Sequence, residues 1–365
     1  MVDRALSWVW WRIETSTTVP ARSLGIFRWV FGAYLLVFDA RWFAWLDRTP
    51  DAFFDPPVFS LAYLVGRFPP PPFFTVVDIV GLLALCAMTV GYRTRAMTVT
   101  ALLTYLVSST FNYSHGKVSH QIAIVLILGC MAVADWGKGS PRRVAQGMSL
   151  LAVSICFGFL AAGVDKARFW LTTDLGVSGI LSWYYPRMDL DAPRLLAPFV
   201  PGTPLWLLKI ADFSAVLMEL SGFAALLSGR IAWRTWLLVL PTFHLANTLI
   251  LNITFPTQVV GYLVFIDLAA VFVLKGERLR RARTLGAVLL IAVTSWHVVT
   301  RVAGGGSFHV LGGSAAQLVT ADIVVSICAC LTVIALVARD LLAEVAAARA
   351  RRTTADRARP SPVAS

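Results

Sequence analysis

The chain has 365 residues, 58% of them hydrophobic and only 14% charged, with a mean hydropathy of +0.72. A soluble domain carries roughly 25% charged residues, so the polar surface that water requires is missing and a water-soluble fold is excluded. The net charge of +12 would suit nucleic acid, but the basic residues stand in short clusters between apolar runs without any aromatic-basic module, so no nucleic-acid partner is expected.

Residues 1–22 come first. Trp8, Trp10 and Trp11 beside Arg4 and Arg12 suit a short amphipathic helix at the membrane interface; a frayed cytoplasmic tail would carry the same residues. The segment is too polar for the core of a signal peptide. Apolar runs of about 20 residues follow, each long enough to cross roughly 30 Å of hydrocarbon. They predict spans at 24–46, 73–90, 96–111, 118–135, 148–166, 205–227, 231–251, 257–274, 284–299 and 318–337. The expected fold is an all-α integral membrane protein, a bundle of about ten transmembrane helices in one domain, 23–338. Two long connections, one after the first span and one after the fifth, mix aromatics with proline. They predict amphipathic or re-entrant pieces on the outer side. Residues 339–365 form a basic tail, expected to be disordered past about Arg351.

Basic residues gather in alternate connections, among them Arg93 and Arg95, then Lys138, Arg142 and Arg143, then Arg278, Arg280, Arg281 and Arg283. The positive-inside rule puts these connections and both termini in the cytoplasm of a multi-pass cell-membrane protein, with the lipid bilayer as its first partner. The five cysteines all fall inside apolar runs without a CxxC pair, so they read as packing residues, and no metal is expected.

A charged side chain at the centre of a membrane helix costs about 2.5–3.5 kcal/mol or more, so such residues point to function. Asp39, Asp78, Asp212, Glu219, Asp267 and Asp322 all lie in apolar runs. On the expected topology Lys166, His115, His120 and His244 share the outer half of the bilayer, which permits one outward cavity lined by all four. Each has a plainer reading. Lys166 can snorkel to the headgroups, His115 can be a solvated loop residue, and His120 and His244 can be helix-packing hydrogen bonders.

Four stretches carry a resemblance. LAAGVDKARFW (160–170) resembles the stretch bearing the catalytic lysine of vitamin K-dependent gamma-glutamyl carboxylase. FHLANTLILNITFP (243–256) resembles the Phe-His-x-x-Asn helix of that enzyme, and FNYSHGKVSH (111–120) its Asn/His-bearing entry to the fourth helix. SLGIFRWVFGAYLL (23–36) looks like the opening helix of the wider bacterial HTTM-domain family that shares this membrane core. The resemblance covers about residues 20–300. It implies a quinol-dependent membrane enzyme in which a neutral lysine, Lys166, acts as base on a reduced vitamin K-type quinone (menaquinol) for O2-dependent oxidation or epoxidation. It also implies carboxylation as a coupled reaction and a small-molecule or peptide substrate on the outer side.

His244 with His115 or His120 would join Lys166 in catalysis, while Asn112, Asn247 and Lys117 would hold the quinol. Burial in a low-dielectric pocket favours the uncharged lysine this chemistry demands. Two departures stand out. The animal enzyme's large lumenal domain has no counterpart after the membrane core. Its lysine pair is replaced by Asp165–Lys166, and its adjacent Asn-His by the separated Asn112 and His115, so His115 and His120 compete for one role. The other reading of the same scaffold is a non-catalytic membrane partner in peptide maturation, immunity or assembly.

Overall fold

The structure, a computed structural model, describes residues 2–40, 42–115, 122–185, 195–272, 276–303 and 315–357. Its helices are α1 (Val2–Thr17), α2 (Ala21–Phe38), α3 (Leu61–Val65), α4 (Phe73–Val90), α5 (Thr94–Asn112), α6 (Ile122–Ala134), α7 (Pro141–Trp170) and α8 (Gly179–Tyr184). After them come α9 (Leu205–Leu220), α10 (Gly222–Ser228), α11 (Arg230–Leu251), α12 (Pro256–Gly261), α13 (Leu268–Val271), α14 (Gly276–Val302) and α15 (Ala315–Arg357). The all-α membrane architecture follows directly from the apolar runs.

Five helices, α2, α4, α7, α14 and α15, are individually long and apolar enough to cross a membrane, and the α9–α10 pair, bent by 51°, would make a sixth. The expected count of about ten is therefore corrected. The remaining runs fall short for identifiable reasons. α5 is interrupted by threonines and serines, several of which bond back to their own helix's carbonyls. α6 has only 13 residues. α11 carries Arg230, Arg234, Pro241, His244 and Asn247. The eighth run breaks into α12, a 3-10 turn at Tyr262–Phe265 and α13, which starts where the Asp267 side chain caps Ala269 and Ala270.

The broken run lies along α2. Thr257 meets Tyr34 (3.1 Å) and Asp39 at one end, and Ser23 donates to Asp267 (2.7 Å) at the other. α14 joins the same bundle through His297 with the Leu36 carbonyl (2.9 Å) and Arg301 with the Ala40 carbonyl (3.0 Å). α15 packs along α11, tied by Arg234 to Asp340 and by Arg230 to Glu344, both at 2.7 Å. One large core unites α2, α4, α6, α7 and α11 with residues 259–268.

The N-terminal helix is docked. Ser16 and Arg12 donate to the Leu226 and Leu227 carbonyls, while Trp8, Trp10 and Trp11 stay exposed. At the other end α15 runs to Arg357, past the expected onset of disorder, because alanine and arginine are strong helix formers. The first long connection folds into single turns and α3, and leaves Phe59 93% and Leu64 78% exposed.

Candidate functional site

A cavity of about 1750 Å³ lies between α7, α9 and α11, closed at its ends by α8 and α12. Most of its wall is apolar, including Leu151, Ile155, Phe159, Ala215 and Met218. Its polar members include Lys166, Glu219, His244, Asn247, Gln258 and Tyr262. Leu207, Ile210 and Val239 line it and are also exposed. α9 runs along α7 but barely touches α11, which leaves the space between them.

α7 begins cleanly. The Ser140 hydroxyl accepts from the Arg143 amide, and Pro141 occupies the first turn, where its missing N–H costs nothing. Its 30 residues extend about 45 Å at 1.5 Å per residue. Near its far end Gly163 sits against α9. A Cβ there would lie 3.0 Å from Glu219 Cβ and from Leu220 Cδ2, so a larger residue would push these side chains back by a few tenths of an ångström. One turn later Lys166 Nζ pairs with Glu219 Oε1. The Glu219 side chain is 3% exposed and that of Lys166 22%. The ammonium also lies 5.2 Å from the Trp170 ring and 5.8 Å from the Phe243 ring, within cation–π range. Glu219 Oε2 is buried and has no hydrogen-bond partner among the described residues.

Across the cavity, α11 carries His244 one turn after Pro241. The buried His244 imidazole makes a 2.9 Å hydrogen bond through Nε2 to the Tyr262 hydroxyl, and the two rings lie 15° from parallel. Phe255 packs on its side, with ring centroids 4.6 Å apart. Asn247, nearly one turn further on, also lines the cavity. α11 stops at Asn252 in the left-handed region (φ 53°), a conformation asparagine tolerates. That turn brings residues 253–255 into the cavity wall.

The α8 segment is fastened by a second lysine–carboxylate pair. Asp212 accepts from the Gly179 (2.9 Å) and Ile180 (3.0 Å) amides and lies 3.6 Å from Lys209 Nζ, which also donates to the Val177 carbonyl. Trp170 fills the space above Gly179, where a Cβ would come within 2.1 Å of the indole.

The structure brings together Lys166, His244 and Asn247, which come from two separate stretches of sequence. It does not bring His115 or Asn112 to this cavity. His115 stacks on Trp45 (5.4 Å) and Phe68 (6.1 Å) beneath the first long connection, and Asp55 pairs with its backbone strand. Aromatic packing thus holds it under a different part of the molecule, and Asn112 ends α5 beside it. The expected four-residue cavity is corrected in this respect. Lys117 and His120 lie outside the described residues.

Two wall residues, Glu219 and Tyr262, were not assigned to the site from sequence. Glu219 stood out only as a carboxylate in an apolar run, and Tyr262 carried no signal in the sequence. Two other carboxylates in the apolar runs serve the backbone: Asp78 accepts from the Phe43 (2.7 Å) and Ala44 (3.1 Å) amides, and Asp267 caps α13. Chemically, the site offers a charge-compensated lysine–carboxylate pair with one open acceptor atom, an imidazole–phenol pair and an apolar volume large enough for a lipid-soluble molecule. Comparison with protein-family models, with curated proteins and with solved structures finds no match.

Proposed function

We propose that this chain is a membrane enzyme that binds a reduced vitamin K-type quinone, such as menaquinol, in the cavity between α7, α9 and α11. The supporting observation is the convergence of Lys166, His244 and Asn247 on one largely apolar cavity. The residues present fit such a molecule. Apolar walls match an isoprenoid tail, and the buried, unpartnered Glu219 Oε2 matches a hydroxyl donor.

When bound, a reduced quinone supplies two electrons and two hydroxyl protons for oxidation or epoxidation by O2, with carboxylation as a reaction that could be coupled to it. The protein's own part is acid–base and positional. Transfer of a proton from Nζ to Glu219 within the pair frees the Lys166 amine to receive a hydroxyl proton. His244, oriented by Tyr262, offers a hydrogen bond to developing negative charge. Asn247 orients the head group, and the apolar wall excludes water. The neutral lysine implied by the resemblance becomes a neutral pair, because Glu219 compensates the ammonium.

That same ion pair favours a second reading, in which the site holds a ligand without proton transfer and the chain is a non-catalytic partner in peptide maturation, immunity or assembly. Turnover separates the two. Reduced menaquinone is offered to wild type, Lys166→Ala and Lys166→Arg in detergent, and quinone or epoxide is quantified. Arginine keeps the charge and cannot act as base, so Lys166→Arg should fall about 100- to 10,000-fold, the usual contribution of a positioned base. Equal turnover by wild type and Lys166→Arg would remove Lys166 from proton transfer. No turnover by wild type with any quinol would leave the binding role.

The basic connections support a cell-membrane location with both termini in the cytoplasm. Reporter fusions after Ser140 and after Gly229 should both read cytoplasmic, and an outside reading at either would overturn this orientation.

A further inference from the structure

We infer that Glu219 sets the redox-form specificity of the cavity: its free oxygen selects a hydroxyl-bearing head group over the corresponding carbonyl form. The inference rests on the quinone reading above and adds to it the atom that tells the reduced form from the oxidised one.

The argument starts from a missing bond. Native proteins leave very few buried polar atoms unsatisfied, because a buried acceptor without a donor forfeits the hydrogen bonds it had in water. Among the described residues, Glu219 Oε2 is the one buried carboxylate oxygen without a hydrogen-bond partner, while Asp39, Asp78, Asp212 and Asp267 meet this rule by accepting from backbone amides or hydroxyls. Glu219 meets it at Oε1 only, through Lys166, while Oε2 lies buried in the cavity wall without a partner among the described residues. The missing partner must therefore be a donor that enters the cavity.

Its class is narrowed by charge and by surroundings. The carboxylate is already neutralised by the Lys166 ammonium, so a second cation would bring an uncompensated charge into an apolar space. The donor is neutral, and the wall around it requires an apolar body. A hydroxyl on a lipid-soluble ring satisfies both conditions. A carbonyl in the same place would set lone pair against lone pair. Water is the alternative donor, and it would leave no preference between the two forms.

The test is equilibrium binding under anaerobic conditions. Purified full-length protein, stripped of co-extracted quinone, is titrated with a short-tailed menaquinone, either oxidised or chemically reduced, and bound ligand is quantified after extraction. Wild type should bind the reduced form at least about tenfold more tightly, the scale of one buried hydrogen bond. Glu219→Gln should bring the ratio to one or invert it, since the amide can donate to a carbonyl. If that variant does not fold, Lys166→Met combined with Glu219→Gln strands no charge and should show the same loss of preference. Equal binding of both forms by wild type would overturn the inference and leave the quinone reading standing. Retention of the preference by the variants would overturn it as well, by placing the discrimination elsewhere. Binding of neither form by wild type would overturn the quinone reading and this inference together.

Discussion

Helix α9 presents two carboxylates seven residues apart, each paired with a lysine, and their surroundings make them opposites. Asp212 has both oxygens engaged, by two backbone amides and by Lys209. It fastens the start of α8, and its acceptors are already taken. Glu219 has one oxygen engaged and one buried without a partner among the described residues, and it lines the large cavity. The same pair of residue types therefore acts as a clamp where backbone donors converge, and leaves an acceptor atom without a protein partner where a cavity replaces them.

Stability measurements in detergent can break or sharpen that contrast. The largest effect should come from Asp212→Ala, which strands the buried Lys209 and frees two amides. Breaking one partner of a buried pair costs about 3–5 kcal/mol, and thermal unfolding followed by tryptophan fluorescence should register it. A loss under about 1 kcal/mol would mean that α8 is held by other contacts. A smaller loss, on the order of 1–3 kcal/mol for each unsatisfied group, is expected when both partners are replaced in Lys209→Met, Asp212→Leu, because the Gly179 and Ile180 amides still lose their acceptor. The smallest loss, or a gain, is expected for Lys166→Met, Glu219→Leu. No backbone amide depends on that pair, and apolar replacement of a buried ion pair is often neutral or stabilising by about 1–4 kcal/mol. Equal losses in the two double variants would erase the distinction between clamp and site.

Hydropathy made some elements legible with little error. The run at 73–90 matches α4 residue for residue, and α7 and α14 enclose the fifth and ninth expected spans. Periods of apolarity could not reveal that the eighth run breaks into three pieces, because Asp267 caps a new helix locally and the run pairs with α2 over long range. In the site, Lys166, His244 and Asn247 were legible because polar groups in apolar helices are expensive. Glu219 was visible as expensive, but its partner lies 53 residues away and no local pattern announces it. His115 was placed by depth alone, and depth carries no information about which neighbour an imidazole stacks on. Tyr262 shows its hydroxyl's purpose only once α11 and the broken run lie side by side.

Trp170 has a consequence of a mechanical kind. Its indole lies over the Lys166 ammonium and also occupies the space that a side chain at position 179 would need. Gly179, at the start of α8, and the cationic end of α7 are thus geared to one ring. Lifting α8 removes a wall from behind the indole, and turning the indole withdraws its π face from the lysine. Entry of a bulky head group past α8 would then be felt at the ammonium before any atom of that head group reached it.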